Sequence, residues 1–140
     1  MASSSSFVFS SPQIPKGSLQ AFPRVRWPEL LQTPKAEWTG RYALPVPESV
    51  TNLPPHQPPE GLKASLATWE YGEVAELLYL GPYNREDTAL KQLADFVRGQ
   101  GYATVGGHEE EYIVSPTGND KGDPEIYVTI LRYRVRKQKP

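Results

Sequence analysis

The stretch REDTALKQLADFVRGQGYATVGGHEEEYIVSP, residues 85–116, joins the clearest helix pattern of the chain to a charged strand pattern. Its first half carries apolar residues at the i, i+3, i+4 and i+7 spacing of one helix face, namely Leu90, Leu93, Ala94 and Val97. Gly99 suits the end of such a helix, because glycine adopts the left-handed conformation at low cost. The pattern therefore predicts an α-helix over about residues 85–98, followed by a β-strand.

The strand pattern begins with three successive glutamates, Glu109–Glu111, a residue type that is poor in strands. Because side chains alternate between the two faces of a sheet, Glu110 and Tyr112 share one face, and Glu109 and Glu111 share the other. One interpretation is a solvated strand start whose charges oppose edge-to-edge aggregation. The other is a pocket, in which Glu110 and Tyr112 enter a sheet face together.

Two further strand patterns flank the predicted helix. EVAELLYLGPY, residues 73–83, alternates so that Ala75, Leu77 and Tyr79 share one face. EIYVTILRYRV, residues 125–135, alternates in the same way and predicts the last strand. One face of that strand carries Tyr127, Thr129, Leu131 and Tyr133.

Weaker strand patterns precede these. Residues 62–72 alternate in part and predict another strand, while Tyr42 and Leu44 predict an edge strand ahead of a proline-rich loop. The order of strands and helix predicts an α+β fold, in which one helix covers one face of an antiparallel sheet. We expect the uncovered face to be rich in tyrosine and to meet solvent, a partner or a ligand.

Composition divides the chain into four segments. Residues 1–35 are rich in serine and proline, and we expect them to be largely disordered apart from a short turn at Trp27 that docks on the core. Residues 36–60 hold the edge strand and the proline-rich loop. Residues 61–136 hold the predicted sheet and helix, and residues 137–140 form a solvated tail.

Charge and composition exclude several function classes. The chain of 140 residues has a net charge of −1, so it lacks the basic excess of nucleic-acid-binding proteins, and we expect no direct nucleic-acid partner. The absence of cysteine excludes disulfides and thiol chemistry. No apolar run approaches the roughly 20 residues of a membrane-spanning helix, and the start lacks the pattern of a secretory signal. We therefore expect a cytoplasmic protein without a membrane partner.

Metal and nucleophile motifs are weak. His108 lies beside the glutamates, but the other histidine, His56, lies in the proline-rich loop, and the two show no recognised ligand spacing. We therefore expect neither a metal nor another cofactor. The sequence also lacks the G-x-S-x-G motif of a nucleophile elbow, so a Ser-His-Asp triad has no motif to support it.

Aromatic residues around a lone carboxylate would favour ligand binding. If Glu110 and Tyr112 lie on the uncovered face, Tyr79 and either Tyr127 or Tyr133 would surround the Glu110 carboxylate. Such a pocket attracts flat or cationic ligands through charge and cation–π contacts. The alternative is that these tyrosines are amphipathic packing residues at the sheet edges.

Residues 66–135 resemble the C-terminal half of GyrI-like small-molecule-binding domains, the effector-binding superfamily that is also fused to AraC-type and MerR-type transcription regulators. The matching features are a strand that ends in LGPY, an acid-rich helix start, GQGY, the pattern His-acid-Glu-x-Tyr, SP and a closing LRYRV strand. Upstream, EWTGRYALPVPESVT resembles the Trp-containing strand that ends the first repeat of this family.

The resemblance implies two βαββ-type repeats with an aromatic, multidrug-type cleft between them and a glutamate at the base of the cleft. It implies Glu110 as the ligand anchor, with Glu109 and Glu111 facing solvent. It implies four further ligand-binding residues: Tyr112, Tyr79, Trp38 and Tyr42. The opening strand and helix of the first repeat are not recognisable before Trp38. Either that repeat is degenerate, or two chains pair as a homodimer and each supplies one wall of the cleft.

Three functions remain open at this point. The leading expectation is a stand-alone module that senses or sequesters an aromatic or cationic small molecule without turnover. The second, which the resemblance implies for some GyrI-like proteins, is a hydrolase of strained electrophilic natural products, in which Glu110 activates water and Tyr79 or Tyr112 binds the carbonyl oxygen. The third is a gyrase-inhibitor-like interaction protein whose acidic run Glu109–Glu111 mimics nucleic-acid charge.

Overall fold

The computed structural model describes residues 22–27, 33–55, 57–116 and 122–139. One α-helix and five strands form along these residues: β1 (Arg24–Arg26), β2 (Arg41–Ala43), β3 (Val74–Leu80), α1 (Glu86–Gly99), β4 (Tyr102–Val114) and β5 (Val128–Lys137). The predicted α+β class, with one helix and an antiparallel sheet, is confirmed. The disorder predicted for most of residues 1–35 falls largely outside the described residues, as does His56.

The five strands form one antiparallel sheet in the order β2-β1-β4-β5-β3. The edge position predicted for the strand around Tyr42 is confirmed, because β2 pairs with β1 alone. Sequence patterns missed β1, a three-residue strand that lies between β2 and β4. Residues 24–26 and 41–43 therefore belong to the same sheet as the C-terminal strands.

The strand predicted over residues 62–72 is wrong. This segment forms no ladder, and residues 61–68 are exposed. Only its aromatic end is buried, because Trp69 and Tyr71 lie against arginine side chains. The Arg26 guanidinium lies 4.4 Å from the Trp69 ring centre, and the Arg132 guanidinium lies 5.4 Å from the Tyr71 ring centre. Cation–π contacts hold these two rings. The partial apolar alternation of the segment does not indicate such contacts.

The helix packs on the sheet face that carries the tyrosines, so the expectation of an uncovered tyrosine face is wrong. Leu90 and Leu93 pack with Leu131 and Tyr133 in the core. The predicted alternation of β3 and β5 is confirmed, because Leu77 pairs with Leu131 on this face. All four residues predicted on one face of β5 are buried: Tyr127, Thr129, Leu131 and Tyr133.

A glycine bulge sets the register of β4. Gly106 has a φ of 75°, a left-handed conformation that glycine adopts without strain. The pairing with β5 shifts between Thr104 and His108, and it then places His108 opposite Tyr133 and Glu110 opposite Leu131. The bulge changes which β5 residues lie opposite His108 and Glu110, and both side chains lie on the sheet face that α1 covers.

Candidate functional site

The described residues form a pocket of about 350 Å³ between the start of α1, the middle of β4 and two tryptophans from the N-terminal part of the chain. Its walls are Trp27, Lys35, Trp38, Tyr83, Glu86, Asp87, Leu90, His108, Glu110 and Tyr112. Most of these side chains are aromatic or acidic. The pocket lies on the sheet face that α1 covers, whereas the sequence expectation placed Glu110 and Tyr112 on the uncovered face.

Glu110 lies in this pocket within a set of hydrogen-bond donors. Trp27 donates from Nε1 to Glu110 Oε2 at 2.9 Å, and Tyr112 donates from its hydroxyl to Oε1 at 3.2 Å. His108 Nε2 lies 2.8 Å from Oε2 of the same carboxylate. Burial alone would raise the pKa of Glu110, but the hydrogen bonds from His108, Glu86 and Trp27 hold this pKa below its ordinary value. Glu110 is therefore an anion at neutral pH.

Glu86, the first residue of α1, has the opposite protonation state. It is only 5% exposed, and burial together with the negative charge of Glu110 raises the pKa of Glu86 to about 9. The start of a helix favours an anion, but here the cost of removing the charge from water is larger. Glu86 is therefore neutral at pH 7, beside the charged Glu110 carboxylate.

Two tryptophans form the wall opposite the helix. The ring centres of Trp27 and Trp38 lie 5.5 Å apart, and Trp38 meets His108 edge to face at 5.6 Å. The close packing of Trp27 depends on Gly40, because a Cβ atom at Gly40 would lie 2.9 Å from the Trp27 ring. Trp38 Nε1 donates to the Thr33 carbonyl oxygen at 2.9 Å, which fixes the orientation of its ring. The same chain thus supplies both sides of the pocket.

The structure brings three of the five predicted ligand-binding residues together: Glu110, Tyr112 and Trp38. Tyr79 lies outside the pocket, because it sits near the end of the edge strand β3, where its hydroxyl donates to the Pro82 carbonyl oxygen at 2.7 Å. Tyr42 is 73% exposed on β2 and is not among the pocket walls, although its ring meets Trp27 edge to face. These two predicted residues are therefore not brought together with Glu110 in the pocket.

Sequence reasoning missed Glu86, Trp27 and the role of His108 in the pocket. The sequence did contain an indication that Glu86 is buried. Glu86 lies four residues before Leu90, so it shares the helix face that carries the apolar residues of α1. His108 has the same strand parity as Glu110. Trp27 carried no comparable signal, since its place beside Glu110 depends on the long-range pairing of β1 with β4.

Glu109 and Glu111 do not face solvent, which corrects the sequence expectation. They are 4% and 3% exposed on the other face of β4, opposite the pocket. Glu109 accepts hydrogen bonds from Arg132 Nη1 at 2.6 Å and from the Tyr71 hydroxyl at 2.7 Å. Arg24 Nη2 and Arg132 Nη2 lie 3.4 and 2.8 Å from the Glu111 carboxylate. Arginine pairing makes burial of these two charges tolerable.

The described parts of the chain contain no group of three or more histidine, cysteine, aspartate or glutamate side chains arranged to hold a metal ion. None of the helices in those parts is long and apolar enough to cross a bilayer. Comparison of the sequence with protein-family models and with curated proteins finds no match. The resemblance to GyrI-like domains therefore remains a prediction from the motifs, and the pocket has to be interpreted from its own chemistry.

Proposed function

We propose that the protein binds small aromatic cations in the pocket between α1 and β4, with Glu110 as the counter-ion, and that it acts as a sensor or a sequestering protein. The observation that carries this proposal is the buried Glu110 carboxylate, whose hydrogen-bond partners are the aromatic side chains of Trp27, His108 and Tyr112. None of the described residues around the pocket is an arginine, and its one lysine, Lys35, pairs with Asp87 at 2.9 Å.

The aromatic walls support the choice of a flat cation. Trp27, Trp38, Tyr83 and Tyr112 surround the Glu110 carboxylate. A cation between such rings gains attraction from their π faces in addition to the charge of Glu110. Pockets of this kind, apolar with a few placed polar groups, are typical of small-molecule sites. This pocket chemistry agrees with the GyrI-like binding module predicted from the motifs.

The proposal is tested with benzamidine, a flat aromatic cation, and with benzamide, a neutral compound of the same shape. At a hundred times its dissociation constant, a ligand adds about 2.7 kcal/mol to the free energy of unfolding, which a thermal-shift assay detects. We expect benzamidine to raise the melting temperature of the wild type and benzamide to have little effect. Equal shifts with both compounds would contradict the counter-ion role of Glu110.

Two variants complete this test. Glu110→Gln keeps the shape of the side chain but removes its charge, and we expect it to weaken benzamidine binding at least about tenfold, or 1.4 kcal/mol. Glu48→Gln removes the same charge from an exposed loop position and serves as the matched control. Equal affinities for both variants would show that benzamidine does not use Glu110.

A second candidate function, hydrolysis of a strained electrophile, is favoured by one observation. Glu86 and Glu110 are adjacent carboxyl groups whose pKa values lie on opposite sides of their ordinary range. Such a pair is suited to a general acid beside a general base. Turnover of an electrophilic cyclopropane that is lost in both Glu86→Gln and Glu110→Gln would support this function. Binding without turnover would favour the first proposal.

The structure bears on the third function, a gyrase-inhibitor-like interaction protein, through the placement of its acidic run. The acidic run Glu109–Glu111 was expected to present negative charge to a partner protein, but all three side chains are buried. Mimicry of nucleic-acid charge by this run therefore has no support in its placement.

A further inference from the structure

Three carboxyl groups line the pocket. Asp87 pairs with Lys35, and the other two, Glu86 and Glu110, differ in how fully they are hydrogen-bonded. Glu110 is in contact with Trp27, His108 and Tyr112. Glu86 is 5% exposed, and its Oε1 atom has no hydrogen-bond partner among the residues that the structure describes. A buried oxygen without a partner is costly, so a donor brought by a ligand would stabilise this arrangement.

We propose that the ligand is an organic cation with N–H donors, such as an amidinium, a guanidinium or a primary ammonium, and that Glu86 releases its proton to solvent when this cation binds. The proposal rests on the function proposed above. It adds the chemical class of the ligand and the release of one proton from Glu86 on binding. One cation binds, the O–H bond of the Glu86 carboxyl group breaks, the proton passes to solvent, and no bond of the ligand changes. The cation then lies between two carboxylates.

The groups that face Glu86 determine which proton is available. Lys35 and Asp87 pair with one another at the rim of the pocket. His108 and Glu110 face Glu86 from β4, together with Tyr112, while Tyr83 faces it from the turn before α1. Burial raises the pKa of Tyr83 to about 12 and raises the pKa of Tyr112 as well, so neither tyrosine loses a proton near neutral pH. Glu86 holds its proton there, with a pKa of about 9.

Proton release makes the affinity depend on pH. If one proton leaves for each cation that binds, the affinity rises about tenfold for each pH unit between about pH 7 and pH 8.5. A cation without N–H groups cannot donate to Glu86 Oε1, so we expect phenyltrimethylammonium to bind at least tenfold more weakly than benzamidine.

The experiment is isothermal titration of the full chain with benzamidine at pH 7.5, in phosphate and in Tris. The heats of ionisation of the two buffers differ, so the difference between the binding heats counts the protons released. We expect about one proton for the wild type and about none for Glu86→Gln, which keeps the neutral shape of the side chain. Asp95→Asn, an exposed carboxylate on the same helix, is the control and should release about one proton.

The outcomes separate this inference from the function on which it rests. Benzamidine binding without proton release, or with equal release from Glu86→Gln, overturns the role of Glu86 and leaves the binding function intact. Phenyltrimethylammonium binding as tightly as benzamidine, or binding of other compounds but not benzamidine, overturns the proposed ligand class. If a folded sample binds no compound at all, the binding function itself fails, and this inference fails with it.

Discussion

Neighbouring glutamates on the two faces of β4 have different partners. Glu109 and Glu111 lie on one face, where arginines from β1 and β5 neutralise them. Glu110 lies on the other face, where an indole N–H, a phenol and an imidazole hold its carboxylate. All three side chains are buried to a similar degree, so burial alone does not separate a structural carboxylate from a binding one.

The difference between the faces lies in how charge is balanced. On the arginine face, defined by Glu76, Glu109, Glu111, Arg24, Arg26 and Arg132, each glutamate has an arginine within 4.0 Å. The pocket face has hydrogen-bond donors and a cavity. Among its described walls Glu110 has no arginine partner, and the group paired with its carboxylate is the His108 imidazole at 2.8 Å. Balanced charges stabilise a fold, whereas an anion beside a cavity attracts a cation. The following predictions test this distinction, beginning with the largest effect.

Removing one arginine from the arginine face should be the most damaging change. Arg132 contacts Glu76, Glu109 and Glu111, so Arg132→Met leaves buried carboxylates without their main partner. We expect a loss of about 3–5 kcal/mol in the free energy of unfolding, measured by urea denaturation.

The matched control for this variant is Arg98→Met. Arg98 pairs with Asp95 on the exposed side of α1, and loss of such a surface pair should change stability by less than about 1 kcal/mol. If the two variants lose the same stability, the arginine face does not depend on its charge pairing.

Truncating a core side chain of α1 should lower the free energy of unfolding nearly as much. Leu93 is 4% exposed and packs in the core between α1 and the sheet. Leu93→Ala should lower the free energy of unfolding by about 2–5 kcal/mol, because it removes buried methyl groups and leaves a cavity. Phe96→Ala, at a position that is 59% exposed on the same helix, should cost much less. A loss below half a kcal/mol for Leu93→Ala, in the same denaturant assay, would contradict the packing of α1.

The pH dependence of stability should reveal Glu86. Its folded-state pKa is raised to about 9, so the folded protein keeps a proton that the unfolded chain releases above about pH 4.5. The contribution of Glu86 to stability is therefore full at acid pH and is lost as pH rises from about 5 to 9. Glu86→Gln should be more stable than the wild type at pH 8 by at least about 1.4 kcal/mol, the value of one pKa unit.

This gap should shrink towards pH 5, because the unfolded chain then begins to hold the Glu86 proton as the folded protein does. Asp95→Asn controls for the loss of a helix carboxylate and should show no gap that widens with pH. Chemical denaturation at several pH values makes the comparison, and a constant gap between wild type and Glu86→Gln would contradict a neutral Glu86.

Local patterns in the sequence predict the part of the fold that local physics determines. The apolar stripe of α1 and the alternation of β3 and β5 follow from residues that are close along the chain, and both are present in the structure. The three residues of β1 are too few to show alternation. Their place beside β4 follows from pairing across more than eighty residues, as in the bond from Trp27 to Glu110.

The same limit explains which site residues were predictable. Glu110 and Tyr112 follow from the parity of one strand together with the motif pattern that resembles GyrI-like domains. The sequence analysis wrongly expected Glu109 and Glu111 to face solvent. The strand pattern does not show that Arg24 and Arg132 pack on these glutamates through tertiary contacts. Which sheet face the helix covers also depends on tertiary packing. The pocket was expected on the uncovered face, but it lies on the face that α1 covers.

The most direct test of the central distinction compares Glu110→Gln with Glu109→Gln, measuring both urea denaturation and benzamidine titration. Glu109 pairs with Arg26 and Arg132, so Glu109→Gln should lose about 3–5 kcal/mol of stability while its folded fraction binds with wild-type affinity. Glu110→Gln should bind at least about tenfold more weakly with a smaller loss of stability. Loss of binding in Glu109→Gln, with wild-type affinity in Glu110→Gln, would contradict the assignment of the two faces.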